Sequence, residues 1–191
     1  MLMIDNVMVL DNVLTEEQCN LLISDSQGNL NDEDLETDLG YNYYMCLYEK
    51  YPFLIDATRH VVREYEKQFP SINKTSTIWD MADWKLKHFP PGYHFSVWHH
   101  EHDYRVPHRI ACIILYLSDH NCGTEFFSTG EVIKSVKGRA IMFPTFWTHT
   151  HRGQLCPDNR DRYIMSAYAL LTDLEMKNGS PVKKTNWTIK D

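Results

Sequence analysis

Apolar positions follow helical spacing in the first third of the chain and strand spacing after about residue 79. The run Thr-Glu-Glu-Gln at 15–18 has the pattern of a capping box and precedes a cluster of apolar residues, which predicts a short helix over about 15–26. A second helix is predicted from Pro52, a residue favoured in the first turn, to about Gln68. Its apolar residues recur three and four positions apart, so we expect it to pack against a sheet.

Short apolar or alternating runs then follow one another, separated by turn-forming residues such as the Pro-Pro-Gly at 90–92. The predicted strands cover 79–89, 93–101, 109–118, 124–127, 131–136, 139–143 and 162–172. Strands spaced this closely favour an antiparallel sandwich or barrel over alternating strands and helices. A further strand is predicted around Val7–Leu10, and the acidic stretch 29–40 is expected to be a surface loop.

The 191 residues suit a single domain, 1–191, with three regions. Residues 1–78 form an N-terminal helical support, 79–173 the β core, and 174–191 a polar and loosely held tail. The fold class is therefore mostly β with flanking N-terminal helices.

The net charge of −7 argues against broad binding to nucleic acid or to an anionic membrane, since both need a basic face. The five cysteines are odd in number and irregularly spaced, which predicts free thiols in a reducing compartment. The chain start lacks the pattern of a signal peptide, and no apolar run is long enough for a membrane span. These features together predict a cytoplasmic protein.

Eight of the ten histidines lie between positions 94 and 151. On an extended strand His99 and Glu101 would point to the same side, as two ligands of a 2-His-1-carboxylate metal site do. The third ligand would come from a distant histidine, and both His149 and His151 are candidates. Roughly one His-x-acid pair is expected by chance from this composition, so the spacing alone is weak support.

The sequence around these residues resembles the Fe(II)/2-oxoglutarate-dependent dioxygenases, in the prolyl-4-hydroxylase-like branch. Phe-Pro-Pro-Gly at 89–92 resembles the turn before the first ligand strand, and His-His-Glu at 99–101 resembles the His-x-Asp motif. The runs at 109–118, 123–126 and 137–144 resemble, in order, the family's Arg-led strand, its Gly-rich turn and the strand before the distal histidine.

The resemblance implies a double-stranded β-helix core of the jelly-roll or cupin-like kind. It also implies Fe(II) as cofactor, 2-oxoglutarate as co-substrate, O₂ as oxidant and ascorbate as a candidate reductant. His99, Glu101 and His151 would be the metal ligands and catalytic residues, with His151 preferred over His149 because Gly153 follows it as in the family pattern.

Other residues gain roles from the same resemblance. Arg162 and Tyr116 would bind the distal carboxylate of 2-oxoglutarate, and Arg109, Trp98 and Tyr104 are expected to face the substrate. The sequence departs from the family pattern twice: Glu101 stands in place of the usual Asp, and Phe89 in place of a second tyrosine. Lys85 and Lys87 share strand parity with Phe89 and are candidate substitutes for the missing hydroxyl.

The resemblance favours hydroxylation of an unactivated C–H bond, with a prolyl residue of a peptide or protein as the first candidate. Succinate and CO₂ would be the co-products. A free amino acid or another small molecule stays open as substrate, while a nucleic acid or membrane partner is not expected. Two other classes also remain open: a cupin-like Zn(II) hydrolase using the same three ligands, and a catalytically degenerate β-helix that serves as a binding module. Neither the substrate nor the oligomeric state follows from the sequence.

Overall fold

The computed structural model describes residues 5–30, 41–45, 50–74, 79–171, 174–177 and 180–183. The helices are α1 (Glu16–Ser26) and α2 (Pro52–Gln68), with short 3-10 turns at Pro70–Lys74 and Trp147–His149. The strands are β1 (Met8–Leu10), β2 (Asn42–Met45), β3 (Trp79–Phe89), β4 (Arg109–Tyr116), β5 (Gly123–Phe126), β6 (Val132–Lys134), β7 (Ala140–Pro144), β8 (His151–Gly153), β9 (Arg162–Leu171), β10 (Leu174–Lys177) and β11 (Ser180–Lys183).

Both predicted helices form where the sequence placed them. The Thr15 hydroxyl accepts a hydrogen bond from the backbone N–H of Gln18, whose side chain accepts one in return from the Thr15 N–H, so the capping box is complete. Helix α2 begins at Pro52 and buries the stripe that its periodicity predicted, including Leu54, Val61 and Tyr65.

The strands form two antiparallel sheets and a separate hairpin. The larger sheet has the order β1-β7-β4-β9-β3-β2, the smaller has the order β6-β5-β8, and β10 pairs with β11. Because successive side chains on a strand point to opposite faces, the two faces of the large sheet pack into two different hydrophobic cores. On β4, Ala111, Ile113 and Leu115 pack on the side of the helices, whereas the residues between them face the smaller sheet.

The second core lies between the two sheets and contains the pocket described below. It gathers Cys112, Ile114 and Tyr116 of β4 with Phe126 of β5 and Phe143 of β7. The architecture is thus a helix layer, a six-stranded sheet and a three-stranded sheet, as predicted for a β core with flanking helices.

The segment 93–101 is not the strand that its sequence predicted. It makes a single antiparallel bridge, in which His99 and His151 exchange backbone hydrogen bonds of 3.0 and 2.9 Å. The carbonyl of Val97 bonds to the ring of His99 and not to a neighbouring strand. The predicted strand 79–89 has the observed bounds, and the remaining predicted strands differ from the observed ones by one or two residues at their ends. Residue 172 lies outside the described residues.

Strands β2, β8, β10 and β11 were not predicted from the sequence. Of the predicted acidic loop, residues 31–40 lie outside the described residues, as do parts of the predicted tail. None of the helices in the described ranges is long and apolar enough to cross a membrane.

The prediction of free thiols is wrong for two of the five cysteines. Cys122 and Cys156 are joined by a disulfide, because the loop before β5 and the loop after β8 bring residues 34 positions apart into contact. Cys19 and Cys112 are free and buried, as predicted, and Cys46 lies outside the described residues.

Candidate active site

The fold brings His99, Glu101 and His151 together at the mouth of the inter-sheet core. The ring nitrogen Nε2 of His99 lies 3.4 Å from Oε1 of Glu101, and Nε2 of His151 lies 3.8 Å from the same oxygen. The ligand atoms of the three residues all lie within 4.8 Å of one another, close enough to hold one metal ion. His99 and His151 are neighbours because their backbones form the single bridge, and the Glu101 N–H donates to the carbonyl of Thr145.

The backbone fixes how both imidazoles are oriented. Nδ1 of His99 bonds to the carbonyl of Val97 at 3.0 Å, and Nδ1 of His151 bonds to the carbonyl of His149 at 2.9 Å. A carbonyl can only accept a hydrogen bond, so Nδ1 carries a proton in each ring. This leaves both Nε2 atoms to face Glu101, which is how metal-binding histidines are commonly oriented.

The second oxygen of Glu101 is anchored away from the histidines. Tyr168, on β9, donates its hydroxyl to Oε2 at 2.7 Å, and Arg109 lies 3.9 Å from the same oxygen. The guanidinium of Arg109 also covers the Tyr168 ring at 3.7 Å. A glutamate side chain is one methylene longer than an aspartate, and these contacts hold it so that Oε1 faces both histidines. Sequence reasoning missed Tyr168, whose only signal was its place on the inward-facing side of the last long strand.

Burial and neighbouring charges set the protonation of this cluster. Burial alone would raise the pKa of Glu101, but the hydrogen bond from His99 and the positive charge of Lys87 hold it well below its usual range. Burial, with the charge of His99, lowers the pKa of His151 to about 4. At neutral pH the site therefore offers a carboxylate and a neutral imidazole, the forms that coordinate metals.

Arg162 lies in the same pocket and is almost completely buried. Its guanidinium packs over the Phe89 ring at 4.3 Å and donates through Nη1 to the sulfur of Cys122 at 3.4 Å. Its Nε atom is buried with no hydrogen-bond partner in the described part of the chain, and no ion pair among those residues involves it. Burial lowers its pKa to about 10, so the side chain stays charged at neutral pH. A buried cation of this kind is suited to an anionic ligand.

Tyr116 provides a second polar group close to this cation. Its hydroxyl lies 2.7 Å from Oγ1 of Thr124, to which it donates, and burial raises its pKa to about 12, so it stays protonated. Phe89 fills the place of the missing tyrosine and supports Arg162 through its ring. Of the two candidate substitutes, Lys87 lines the pocket, whereas the ammonium of Lys85 lies over the ring of Tyr43.

The pocket that contains these groups measures about 460 Å³, including its open mouth. It is lined by Lys87, Phe89, Phe95, His99, Glu101, Ile114, Tyr116, Thr124, His151, Gly153, Arg162, Ile164 and Ser166. Three groups that could hold a metal ion therefore share one cavity between the sheets with a buried cation that has no carboxylate partner among the described residues.

The three residues expected to face the substrate lie in different settings. Arg109 packs beside Glu101, as described above. The ring of Trp98 meets that of Phe127 at 5.1 Å and is covered by the guanidinium of Arg152 at 4.3 Å, so it is held in place. Tyr104 is 89% exposed and contacts Arg105. None of the three lines the pocket itself.

His149, the alternative to His151, points elsewhere. Its Nε2 bonds to the carbonyl of Asp5 at 2.7 Å, and its Nδ1 to the hydroxyl of Thr148 at 2.9 Å. Both ring nitrogens are thus engaged outside the cluster, and the structure brings His151 to Glu101 instead.

No family model and no curated protein sequence matches this chain. Solved structures do match, and they share the double-stranded β-helix core of 2-oxoglutarate oxygenases, which confirms the predicted fold. With the viral collagen prolyl hydroxylase vCPH from Paramecium Bursaria Chlorella virus-1, in complex with 2OG, the TM-score is 0.67 at 17% identity, over 88% of this chain and 97% of that one.

Two further structures show the same fold at lower identity. A prolyl hydroxylase from Trichoplax adhaerens, in complex with a hypoxia inducible factor peptide fragment, matches with a TM-score of 0.63 at 13% identity, over 87% of this chain and 84% of that one. HygX from Streptomyces hygroscopicus, with nickel and 2-oxoglutarate bound, matches with a TM-score of 0.64 at 10% identity, over 88% and 84%.

Proposed function

We propose that this protein is an Fe(II)- and 2-oxoglutarate-dependent dioxygenase that hydroxylates an unactivated C–H bond. The observation that carries the proposal is the presence, in one pocket, of two imidazoles and a carboxylate facing each other and of a buried arginine without a carboxylate partner among the described residues. Two histidines and one carboxylate are the donor set that non-haem Fe(II) oxygenases use. The likeness to structures that hold 2-oxoglutarate supports the same reaction class.

In this proposal His99, Glu101 and His151 hold the iron. When bound, the iron couples the oxidation of 2-oxoglutarate by O₂, to succinate and CO₂, to insertion of one oxygen atom into the substrate C–H bond. Tyr168 and Arg109 keep Glu101 ionised and correctly turned, because both place a donor or positive charge at its Oε2.

Arg162 binds the distal carboxylate of 2-oxoglutarate through its guanidinium. The Tyr116 hydroxyl turns its one hydrogen from Oγ1 of Thr124 to the same carboxylate when 2-oxoglutarate binds. Phe89 keeps the guanidinium in place, and the apolar walls of Ile114 and Ile164 exclude water from it. Lys87 supplies a further positive charge on the pocket wall, which compensates for the tyrosine hydroxyl that Phe89 lacks.

For the substrate, we propose a prolyl residue in a peptide or protein. Its contact surface would consist of Trp98, Arg109 and Tyr104. The Trp98 ring, which packs against Phe127 and Arg152, would offer an apolar surface of fixed orientation. The likeness to a prolyl hydroxylase in complex with a peptide fragment supports this substrate class. A free amino acid or other small molecule is the competing substrate.

The test is an anaerobic titration of the metal-free protein with Fe(II) and then 2-oxoglutarate, followed by admission of O₂ and measurement of succinate. We expect a visible charge-transfer band on addition of 2-oxoglutarate, as in the family. Succinate should increase in the presence of proline-containing peptides, and mass spectrometry should find one added oxygen per turnover. Free L-proline and other free amino acids form the comparison panel.

His151→Ala and His149→Ala make a matched pair for this assay. His151→Ala should abolish the band, whereas His149→Ala should retain it, because His149 bonds to Asp5 and not to the metal cluster. A wild-type protein that binds Zn(II) yet shows neither band nor succinate with Fe(II) would contradict the proposal and favour the hydrolase or the binding module.

A further inference from the structure

A second cluster of metal-binding side chains lies outside the pocket, where two loops meet. His120 and Cys122 come from the loop between β4 and β5, and Cys156 and Asp158 from the loop between β8 and β9. The ligand atoms of His120, Cys156 and Asp158 lie within 4.8 Å of one another, and Cys122 is bonded to Cys156. Each loop thus contributes two ligand-type residues spaced two apart.

The polar groups of this cluster have the arrangement of a ligand set. Nδ1 of His120 is hydrogen-bonded to Oδ2 of Asp158 at 3.0 Å, which places the two groups side by side, and the same oxygen accepts a hydrogen bond from Nη2 of Arg160 at 2.8 Å. Nε2 of the same ring lies 3.0 Å from the hydroxyl of Ser118, which orients it from behind. The other oxygen of Asp158, Oδ1, is buried and has no hydrogen-bond partner in the described part of the chain. An unsatisfied buried carboxylate oxygen needs a partner, and a cation would supply one.

We propose that, when the Cys122–Cys156 disulfide is reduced, these four side chains bind one Zn(II) ion. Thiolates, imidazoles and carboxylates all bind zinc, and these four side chains supply the four donors of a tetrahedral site. The ligand atoms would need to approach by roughly 1 Å to reach zinc-bonding positions, a movement that two facing loops can make. The site adjoins the pocket through the contact of Arg162 with Cys122, but it uses none of the three proposed iron ligands.

The zinc-bound and disulfide states exclude each other, since both use the same sulfur atoms. Reduction by a dithiol transfers two electrons and two protons to the disulfide, while the dithiol becomes a disulfide itself. Zinc then displaces the two thiol protons as both sulfurs become thiolate ligands. The guanidinium of Arg162, which donates to the sulfur of Cys122 at 3.4 Å, favours the thiolate form of that cysteine.

The experiment measures zinc bound to the full-length protein by equilibrium dialysis and elemental analysis. The His151→Ala variant is used so that zinc in the first site does not contribute. We expect one zinc per chain after reduction and none when the disulfide is intact. Adding Cys156→Ser should remove this zinc, whereas adding Cys19→Ser, a change at a buried free cysteine, should leave it in place. Co(II) in place of zinc should give a thiolate charge-transfer band that is absent with Cys156→Ser.

Alkylation of the wild-type protein provides a test that needs no variant at this site. After reduction, zinc should protect Cys122 and Cys156 from alkylation, as read by mass spectrometry of the peptides, and a chelator should remove the protection. The proposal is overturned if reduced His151→Ala binds no zinc, if Cys156→Ser leaves the stoichiometry unchanged, or if zinc gives neither cysteine protection. Succinate formation is not part of either readout, so the outcome is independent of the proposed oxygenase activity.

Discussion

Replacing Arg162 with methionine should have opposite effects on folding and on binding of the co-substrate. The guanidinium is buried and has no carboxylate partner among the described residues, and burial lowers its pKa from 12.5 to about 10. A shift of that size means that keeping the charge in the folded protein costs roughly 3 kcal/mol. Methionine has a similar length and can pack on Phe89 without a charge. In the absence of 2-oxoglutarate, Arg162→Met should therefore leave the free energy of unfolding unchanged or raise it by up to roughly 3 kcal/mol.

The same change should weaken 2-oxoglutarate binding strongly. Removing one partner of a buried charge pair typically costs about 2–5 kcal/mol, which corresponds to a loss of affinity of roughly 30-fold to 5,000-fold. A ligand present at about 100 times its Kd raises the free energy of unfolding by roughly 2.7 kcal/mol. The wild type should show this increase, and Arg162→Met should show almost none at the same concentration.

One assay reads both effects: urea unfolding followed by fluorescence, with and without 2-oxoglutarate, in the presence of a redox-inert divalent metal. Arg59→Met, a change at an exposed arginine on α2, serves as the control and should resemble the wild type. The reasoning is refuted if Arg162→Met destabilises the ligand-free protein by more than about 1 kcal/mol while 2-oxoglutarate still stabilises it, because Arg162 would then be a structural residue.

Three further predictions concern the metal anchor, the helix core and a buried thiol. Tyr168→Phe removes the hydrogen bond to Oε2 of Glu101. The affinity for Fe(II) should therefore fall roughly tenfold or more, while the melting temperature changes little. An unchanged affinity would show that Glu101 does not need this hydrogen bond to bind the metal. Leu54→Ala should lower the free energy of unfolding by about 3 kcal/mol in urea titrations, whereas Leu21→Ala, at a half-exposed position of α1, should cost well under half of that. Burial raises the pKa of the Cys19 thiol to about 11, so this thiol loses its proton at a lower pH in the unfolded chain than in the folded one. The free energy of unfolding should therefore fall as the pH rises above about 9. Cys19→Ala should reduce that fall, and the same dependence of the unfolding free energy on pH in the variant would contradict the prediction.

A glycine at the start of β5 gives one more test. An ideal Cβ at Gly123 would lie 1.9 Å from the carbonyl oxygen of Ile133, so Gly123→Ala should force β5 and β6 apart and destabilise the protein, as measured by thermal unfolding. Gly28→Ala is the matched control, since its Cβ would meet nothing within 4 Å, and it should be neutral or stabilising. Equal effects of the two changes would contradict this account.

Local patterns were enough to predict most of the secondary structure. The capping box at Thr15, the proline at 52 and the apolar spacing of α2 act within one or two helical turns, so the sequence specifies those helices directly. On β4, successive side chains point to opposite faces of the sheet, which likewise follows from the geometry of a strand. Strand β2 pairs with β3, about forty residues away, so its local sequence showed little sign of a strand. The segment 93–101 alternates as a strand does but pairs only at the His99–His151 bridge, and pairing depends on the tertiary structure.

The sequence by itself determined the double-stranded β-helix, the candidate triad of His99, Glu101 and His151, and the candidate cation Arg162. It could do so because an ordered set of short motifs resembles a known family, and because period-two alternation decides which side of a strand each residue faces. These are properties of residue order, so they can be read without coordinates.

Only the tertiary structure decided which distant groups meet. It turned His149 to the carbonyl of Asp5, placed the Tyr168 hydroxyl on Glu101, and joined Cys122 to Cys156 where free thiols were predicted. Each of these contacts joins residues that are 34 or more positions apart. These residues meet because of how the strands pair and how the loops approach each other, and no local pattern in the sequence specifies which distant residues will be in contact.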